Sequence, residues 1–277
     1  MTVGQKIQIN LVQVLLILAA IIFLIPFYFV IVNSVKTFSE IVRNAAALPT
    51  TLQWNNYVLA FGQIRFTQVF INTLTVTVFS VAGMVVLGSM AGWKLARFDK
   101  KPVSIVLFSL FVASMVIPFQ SVMIPMVRVA GRLGLTNSHP GLIFIYFGFG
   151  VPFGVFLYHG FVKSVPLELE ESARIEGCGE LRLFIQIVFP LLKTITVTFI
   201  ILQTLWVWND FLLPALLISS RNLHTIPLAI NRFFSVFLNQ WDRALPSLVL
   251  STAPIVVFFL LLQRHMIRGI SDGALKG

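Results

Sequence analysis

Charged side chains, cysteine and catalytic motifs are all scarce in this sequence. Asp, Glu, Lys and Arg make up only 11% of its 277 residues, whereas hydrophobic residues make up 57%. The one cysteine, Cys178, has no partner within the chain for a disulfide, and the four histidines are too scattered to form a zinc site. The sequence also contains no P-loop, no GxSxG motif and no paired carboxylates within an apolar stretch. We therefore expect that this chain is not an enzyme and holds no metal.

The excess of basic residues raises nucleic-acid binding as one interpretation. Lys and Arg number 20 against 10 Asp and Glu, which gives a net charge of +10. A phosphate backbone needs a continuous basic stripe, whereas these residues lie in short loops and at the ends of apolar runs. Membrane proteins concentrate Lys and Arg in their cytoplasmic loops, and this explains the excess better. We therefore expect no nucleic-acid partner.

Long apolar runs are abundant, and the mean hydropathy of the chain is +0.92. Six of them are about as long as the roughly 20 residues that a helix needs to cross a bilayer. They cover residues 11–32, 69–93, 103–126, 142–161, 195–218 and 245–262. The first run exceeds the core of a secretory signal, which has about 7–15 residues, so we interpret it as an uncleaved helix. The sequence thus predicts an all-α, polytopic membrane protein, a single domain with six transmembrane helices in a lipid bilayer.

Two of these runs contain features that predict their packing. The second run carries many small and hydroxyl-bearing residues, which let helices approach closely, so we expect it to lie inside a bundle. The third run contains Pro118 and Pro125 near its far end, which indicates either a broken helix or a simple kink near the membrane surface. Gln120 and Ser121 lie between the two prolines and are candidates for the substrate pathway.

Clustered basic residues predict the orientation. Lys94, Arg97, Lys100 and Lys101 occupy one short loop, which is the strongest positive-inside signal in the chain. Six spans place both termini on one side of the membrane. We therefore expect this loop and both termini to be cytoplasmic.

One segment, residues 165–190, differs from its apolar surroundings. It holds five of the ten acidic residues, and charges at this density cannot lie in lipid. We expect its first helix to start at Pro166 and to be interrupted at Gly177 and Gly179, and its second helix to end at Pro190. The segment is therefore either an ordinary solvated loop or a docking piece made of two short helices.

The residues of this segment resemble the EAA signature of ABC importer permeases. The spacing of that signature is met by Glu171-Ser172-Ala173, Glu176-Gly177, Phe184, Ile187 and Pro190. The departures are Ser172 for alanine, Glu176 for aspartate, Cys178 for the usual alanine and Thr194 for a frequent proline, and they keep size or charge roughly in place. The resemblance implies that residues 163–190 form a cytoplasmic coupling loop that docks on an ATP-hydrolysing subunit. The residues that it implies for docking are Glu170, Glu171, Ser172, Ala173, Glu176, Gly177 and Phe184.

Three other segments resemble the carbohydrate-uptake branch of this family, of which the maltose permease is the best-known member. They are the loop from Leu48-Pro49 through Asn56-Tyr57, the segment Trp208-Asn209-Asp210-Phe211, and the closing residues 269–277, Gly-Ile-Ser-Asp-Gly-Ala-Leu-Lys-Gly. The resemblance implies a permease subunit of the bacterial cytoplasmic membrane that passes a sugar, in particular an oligosaccharide, into the cytoplasm. The implied partners are a second homologous permease subunit, two cytoplasmic ATPase subunits and an extracytoplasmic sugar-binding protein. ATP and magnesium would bind to the ATPase subunits, so no cofactor is expected in this chain.

The fifth run carries the one acidic residue within the predicted spans, Asp210, close to Trp206, Trp208 and Asn209. Trp206 and Asp210 are four residues apart and share a helix face. Aromatic rings can stack on sugar rings, and amide and carboxylate groups can bond sugar hydroxyls, so these four residues are candidates for the substrate pathway. The alternative is that the tryptophans form an interfacial belt and that Asp210 pairs with an external arginine.

Three other functions stay open at this point. An ABC importer for amino acids or peptides fits the same docking signature, since sugar specificity rests on the resemblance alone. An ion-coupled secondary transporter would use intramembrane carboxylates or internal repeats, and Asp210 is the one such carboxylate. A channel or assembly protein would use the external loops as an interaction surface.

Overall fold

Helices dominate the structure, a computed structural model that describes residues 3–235 and 238–274, with side chains described for residues 9–234 and 240–261. In chain order the helices are α1 (Val3–Ser34), α2 (Phe38–Arg43), α3 (Asn55–Ile64), α4 (Phe66–Arg97), α5 (Pro102–Val116), α6 (Phe119–Arg132), α7 (His139–Val162), α8 (Glu168–Ile175), α9 (Glu180–Leu183), α10 (Phe189–Leu191), α11 (Lys193–Asn209), α12 (Leu212–Leu217), α13 (Ile226–Asn231) and α14 (Trp241–Ala274). A π-helical segment covers Phe184–Val188, and a 3-10 turn covers Arg221–Leu223. Two antiparallel strands of two residues each, β1 (Phe234–Ser235) and β2 (Leu238–Asn239), complete the described elements. The prediction of an all-α membrane protein is confirmed, with this strand pair as a small addition.

Four helices are long and apolar enough to cross a membrane: Ile9–Ser34, Phe66–Arg97, His139–Val162 and Trp241–Leu261. Two further pairs of helical segments have the required length and composition but bend sharply between their members. Within the part of the chain that the structure describes, the number of spans therefore reaches the predicted six only if each bent pair counts as one span.

The third predicted span, residues 103–126, is not a continuous helix. α5 ends at Val116, α6 begins at Phe119, and the two axes differ by 105°. Pro118 has no amide hydrogen with which to continue α5, and it keeps Ile117 in an extended conformation. Pro125 lies inside α6 without ending it. The broken-helix interpretation is therefore confirmed, and the simple kink is wrong.

The fifth predicted span, residues 195–218, is also divided. α11 ends at Asn209, Asp210 is extended with ψ near 125°, and α12 begins at Leu212. Oδ1 of Asp210 accepts a hydrogen bond of 3.0 Å from the Leu212 amide, which turns the chain between the two helices. The prediction of one continuous helix is wrong here, because hydropathy does not register a side chain that bonds to its own backbone.

Two compact units make up the chain: residues up to 66 together with 230–253, and residues 67–229 together with those from 254 onward. In the first unit, a fully buried lysine closes the loop that follows α1. The ammonium of Lys36 donates to the carbonyl oxygens of Asn44 and Ala45 at 3.2 Å each. These bonds satisfy carbonyl groups that water would otherwise solvate, so the loop has a defined fold that hydrogen bonds hold together.

In the second unit, α4 packs against α7 at glycines. A Cβ atom added to Gly88 would lie 3.1 Å from the Cα of Gly154, and one added to Gly92 would lie 2.7 Å from the Cβ of Tyr158 and 3.0 Å from the backbone nitrogen of His159. Small residues therefore set the distance between these two helices. Fourteen residues of α4 are buried, which confirms that the second apolar run lies inside a bundle.

We predict that Gly92→Ala destabilises the protein, because the new methyl group would meet the backbone of α7 rather than a flexible side-chain end. Overpacking of this kind costs about 1–3 kcal/mol of the free energy of unfolding. The matched control is Gly160→Ala on α7, where an added Cβ meets nothing within 4 Å. The midpoint of thermal unfolding in detergent should fall for Gly92→Ala and should not fall for Gly160→Ala. Equal midpoints for the two variants would contradict the close packing of α4 on α7.

Glu40 in the first unit gives a pH-dependent prediction. Hydrogen bonds from the Thr50 hydroxyl, the Thr37 amide and the Thr50 amide lower the pKa of Glu40 from its ordinary value of 4.5 to about 2. A carboxylate with a lowered pKa stabilises the fold above its unfolded pKa, and this contribution is lost as the pH falls through the folded pKa. We expect Glu40→Gln to lower the thermal midpoint at pH 7, and we expect the difference from the wild type to shrink as the pH falls below about 4.5. A difference that stays constant down to pH 3 would show that ionisation of Glu40 has no part in it.

Candidate functional site

The coupling loop, residues 163–190, contains a helix whose first turn is not capped by a side chain. α8 begins at Glu168, two residues later than predicted from Pro166, and the residue before it, Leu167, offers no capping group. Three glutamates, Glu168, Glu170 and Glu171, lie in the first turn. Negative charge is favourable there because the backbone N–H groups of the first turn point along the helix axis toward its N-terminal end and give that end a partial positive charge.

A Schellman turn ends α8, as the glycine prediction requires. Gly177 has a φ of +82°, in the left-handed region that favours glycine. The amide of Cys178 donates to the carbonyl of Ala173 at 2.9 Å, and the amide of Gly177 donates to the carbonyl of Arg174 at 3.0 Å. This is the bond pattern of a helix stop at a left-handed residue.

The second helix of the loop runs further than predicted. α9, the π-helical segment and α10 follow one another without interruption to Leu191, so Pro190 does not end the helix. The amide of Phe189 donates to the carbonyl of Phe184, five residues back, which widens this turn. The sharp turn comes at Leu192, where the helix that ends there and α11 differ by 80°. Pro190 has no amide hydrogen to donate, and it lies directly after the widened turn, where the regular bonding to the fourth residue back is already interrupted.

Five charged side chains join α4, α8 and α9, and we refer to them as the charge ring. Arg97 Nε donates to Glu170 at 2.7 Å, and Arg174 reaches the same carboxylate at 3.4 Å. Arg174 also pairs with Glu180 at 3.1 Å, and Glu180 pairs with Lys94. Because Lys94 and Arg97 both belong to the last turn of α4, the chain of contacts begins and ends on that helix.

Glu170 is the buried member of the charge ring. Its side chain has no exposed surface, and Trp93 Nε1 donates to both of its oxygens at 3.1 Å. Arg97 extends the contact by donating to the carbonyl of Val165 at 3.0 Å. An ionised carboxylate can be buried only where such donors replace water.

Glu180 is the exposed member of the charge ring. Hydrogen bonds from Lys94 and then Arg174 hold the pKa of the Glu180 carboxyl below its ordinary value of 4.5. The Glu180 carboxyl is therefore ionised at neutral pH, although water and salt screen its ion pairs.

The structure separates the predicted docking residues into two sets. Glu171, Ser172, Glu176 and Gly177 are exposed, whereas the side chains of Glu170, Ala173 and Phe184 are buried within the chain. Ile175 lies among the exposed set with 87% of its surface accessible. We refer to Glu171, Ser172, Ile175, Glu176 and Gly177 as the docking face.

Two of the predicted pathway residues line one cavity in the second unit. Trp206 and Asp210 border a space of about 200 Å³, together with Phe119 and Phe149. The hydroxyl of the fully buried Tyr146 donates to Asp210 Oδ2 at 2.9 Å, and its ring meets that of Trp206 edge-on with 5.5 Å between centroids. The described partners of the Asp210 carboxylate are thus a tyrosine and the Leu212 amide, neither of which is an arginine.

The other predicted pathway residues lie elsewhere. Trp208 is buried against Phe70 and lines a separate apolar cavity of about 560 Å³. Asn209 is exposed and donates to the carbonyl of Leu205, and Gln120 and Ser121 are exposed on α6. The structure does not bring these four residues into the cavity of Trp206 and Asp210.

Several residues of the site could not be selected from the sequence pattern. Trp93 and Arg97 belong to an apolar run and a basic cluster, and only their three-to-four-residue spacing on α4 hints at one shared face. Tyr146 stands in an apolar run with no nearby charge. The signal for Ile175 is clearer, since it is an apolar residue within a charged segment. The closing residues 275–277 lie outside the described residues, and so do the side chains of 262–274, which include the rest of the predicted tail motif.

Comparison with known proteins gives consistent relatives along nearly the whole chain. A protein named "Probable starch degradation products transport system permease protein" from Thermoanaerobacterium thermosulfurigenes is 40% identical over 261 residues, which is 94% of each chain. The melibiose/raffinose/stachyose import permease protein of Bacillus subtilis is 35% identical over 269 residues, 96% of this chain and 97% of the relative.

A solved structure of similar fold is a chain of a bacterial ABC transporter involved in the import of the acidic polysaccharide alginate. Its TM-score is 0.82 at 18% identity, covering 95% of this chain and 98% of the other. The family described as "Binding-protein-dependent transport system inner membrane component" matches residues 84–272, which include the charge ring, the docking face and the Trp206–Asp210 cavity. This chain therefore belongs to the family of inner membrane components of binding-protein-dependent transport systems.

Proposed function

We propose that this chain is the membrane permease subunit of an ABC importer that passes an oligosaccharide into the cytoplasm. The observation that carries this proposal is the docking face. An isoleucine that is 87% exposed lies beside two exposed glutamates and a glycine turn, and this mixed apolar and acidic surface fits a protein partner that offers an apolar pocket with basic groups around it. A cleft on an ATPase subunit would bury Ile175, and basic groups of that subunit would pair with Glu171 and Glu176.

The choice of an oligosaccharide follows from the relatives and from the cavity. The two relatives described above are named for starch degradation products and for melibiose, raffinose and stachyose. The Trp206–Asp210 cavity combines an aromatic ring with a carboxylate oxygen, and these groups can stack on a sugar ring and bond its hydroxyls. The matching half of the pathway would come from a second permease subunit.

The remaining partners follow from the same proposal. ATP and magnesium would be held by two cytoplasmic ATPase subunits, since this sequence carries no nucleotide motif. A sugar-binding protein would deliver the substrate on the outer side, and one similar solved structure, with a TM-score of 0.72, is of an alginate transporter in complex with a periplasmic protein that holds an alginate pentasaccharide. The basic residues of α4 that hold the coupling loop also belong to the positive-inside cluster, which supports a cytoplasmic position for the loop and for both termini.

The mechanism is a transfer of motion. Closure of the ATPase pair would displace the docking face, and the helices attached to it would change access to the cavity from one side of the membrane to the other. The chain itself would carry out no covalent chemistry. Its residues would bind and orient the sugar, and its helices would move to change the access to the cavity.

We predict that Glu171→Lys abolishes sugar uptake and co-purification of the ATPase subunits while the permease still inserts into the membrane. The reason is that a docking carboxylate becomes a cation that repels the basic groups of the partner. The measurements are accumulation of labelled oligosaccharide in cells and the proteins recovered with a tagged permease. The matched control is Asp99→Lys, the same change of charge at an exposed acid outside the docking face, whose described ion pair is a solvated one with Lys163 at the start of the coupling loop.

A glycine pair gives a second control for the docking face. Alanine at Gly177 would be strained at φ +82°, whereas Gly179 has φ −70°, and an added Cβ meets nothing within 4 Å at either position. Uptake should therefore fall with Gly177→Ala and persist with Gly179→Ala. Normal uptake by both Glu171→Lys and Gly177→Ala, at normal permease levels, would refute the docking role. Accumulation of labelled amino acids or peptides in place of sugar would refute the proposed substrate class.

We predict that Asp210→Ala lowers sugar uptake about ten- to a hundredfold, since a hydrogen bond to a charged group contributes about 1.5–3 kcal/mol. Co-purification of the ATPase subunits should be preserved, because Asp210 lies outside the coupling loop. Tyr146→Phe removes only the hydroxyl that holds Asp210 and should cause a smaller loss in the same direction. Unchanged uptake by Asp210→Ala would contradict the substrate role of Asp210 and would favour the alternative in which the tryptophans form an interfacial belt.

A further inference from the structure

Glu170 cannot serve as a docking residue, since its side chain has no exposed surface. Its two oxygens are occupied by donors from the same chain: the indole of Trp93, the guanidinium of Arg97 and, at longer range, that of Arg174. A partner subunit could reach this carboxylate only by breaking those bonds. Its role must therefore lie within the permease.

Holding α8 against α4 does not by itself require a charge. Apolar side chains of similar volume often stabilise a protein as well as a buried ion pair does. What a carboxylate with several donors adds is direction, because each N–H must point at an oxygen. The contacts of Glu170 with Trp93 and Arg97 therefore fix the rotation of α8 about its own axis as well as its distance from α4.

The second helix of the coupling loop is attached to the same turn of α4. Lys94 pairs with Glu180 of α9, and the ring of Trp93 meets that of Phe184 with 5.3 Å between centroids. Both helices of the coupling loop thus contact α4 within residues 93–97. Because α4 is one unbroken helix of 32 residues, about 48 Å long, a displacement of this turn is carried along its whole length.

We propose that Glu170 is a positioning residue that fixes the coupling loop to α4 through Trp93 and Arg97, so that α4, α8 and α9 move as one body when the docking face is displaced. The inference rests on the proposed function, because it assigns a role within ATP-driven transport. Glu180 is a weaker member of the same attachment, since it is 54% exposed and its pairs are screened by water.

The test uses the whole importer, purified with its co-purifying ATPase subunits and reconstituted in lipid vesicles. Glu170→Gln should leave the complex assembled and hydrolysing ATP, while the number of sugar molecules imported per ATP hydrolysed falls roughly three- to thirtyfold. Glu180→Gln should cause a smaller fall in the same ratio. The matched control is Asp99→Asn, which removes a solvated pair with Lys163 at the start of the coupling loop; because water screens this pair, the ratio should stay near that of the wild type.

Two further variants separate positioning from general stability. Trp93→Phe keeps a ring against Phe184 but removes the indole N–H, so it should lower the ratio without lowering the amount of assembled complex. Arg97→Gln combined with Glu170→Gln should lower the ratio by less than the two single losses multiplied together, because both single changes remove the same Arg97–Glu170 bond. A loss of assembled complex that accounts for all of the lost uptake, with the ratio unchanged, would overturn the proposal.

A distance measurement tests the movement itself. Spin labels at Lys100→Cys, just beyond α4, and Leu167→Cys, at the start of α8, are placed in a Cys178→Ser background. In the wild type the distance between the labels should stay the same with and without trapped ATP, and in Glu170→Gln it should change. A wild-type distance that changes with ATP would refute the one-body movement. Failure of the wild type to recover ATPase subunits or to import sugar would instead refute the proposed function, independently of Glu170.

Discussion

The buried carboxylate of Glu170 is the constraint on which the packing of the coupling loop against the end of α4 depends. An ion of this kind is stable away from water only when its donors are in place, so the positions of Trp93 and Arg97 on α4 and of Glu170 on α8 determine one another. The exposed outer pairs and the Schellman turn at Gly177 then set the direction of the second helix. The docking face results from this arrangement: with Glu170 and Ala173 turned inward, Glu171, Ser172 and Ile175 are left facing outward.

The membrane part of the second unit depends on a different constraint, close contact between backbones. Gly88, Gly92 and Gly154 allow α4 and α7 to approach to distances at which an added methyl group would meet main-chain atoms. A helix pair held in this way has little freedom to adjust locally. Under the proposed function, these contacts and those of Glu170 would stiffen α4 both along its middle and at its end.

The sequence predicts the helical class, the packed second run and the broken third run, because hydropathy, small residues and proline each act locally. It also locates the coupling loop, since charge between apolar runs is a strong signal. It cannot divide the loop residues into inward and outward sets: Glu170 and Glu171 are adjacent and chemically identical, and only the partners supplied by α4, more than seventy residues earlier, distinguish them. For the same reason, the sequence does not predict that Tyr146 is the partner of Asp210 or that Trp208 and Trp206 face different cavities.

Under the proposed function, Asp210 would serve both the fold and the ligand. Its Oδ1 atom accepts the Leu212 amide and so maintains the break between α11 and α12, whereas its Oδ2 atom accepts the Tyr146 hydroxyl. A carboxylate oxygen can accept more than one hydrogen bond, so a sugar hydroxyl that donated to Oδ2 would leave both the tyrosine bond and the backbone bond intact. Loading and unloading at this carboxylate would then require no rearrangement of the main chain, so the break between α11 and α12 would persist whether or not a sugar is bound.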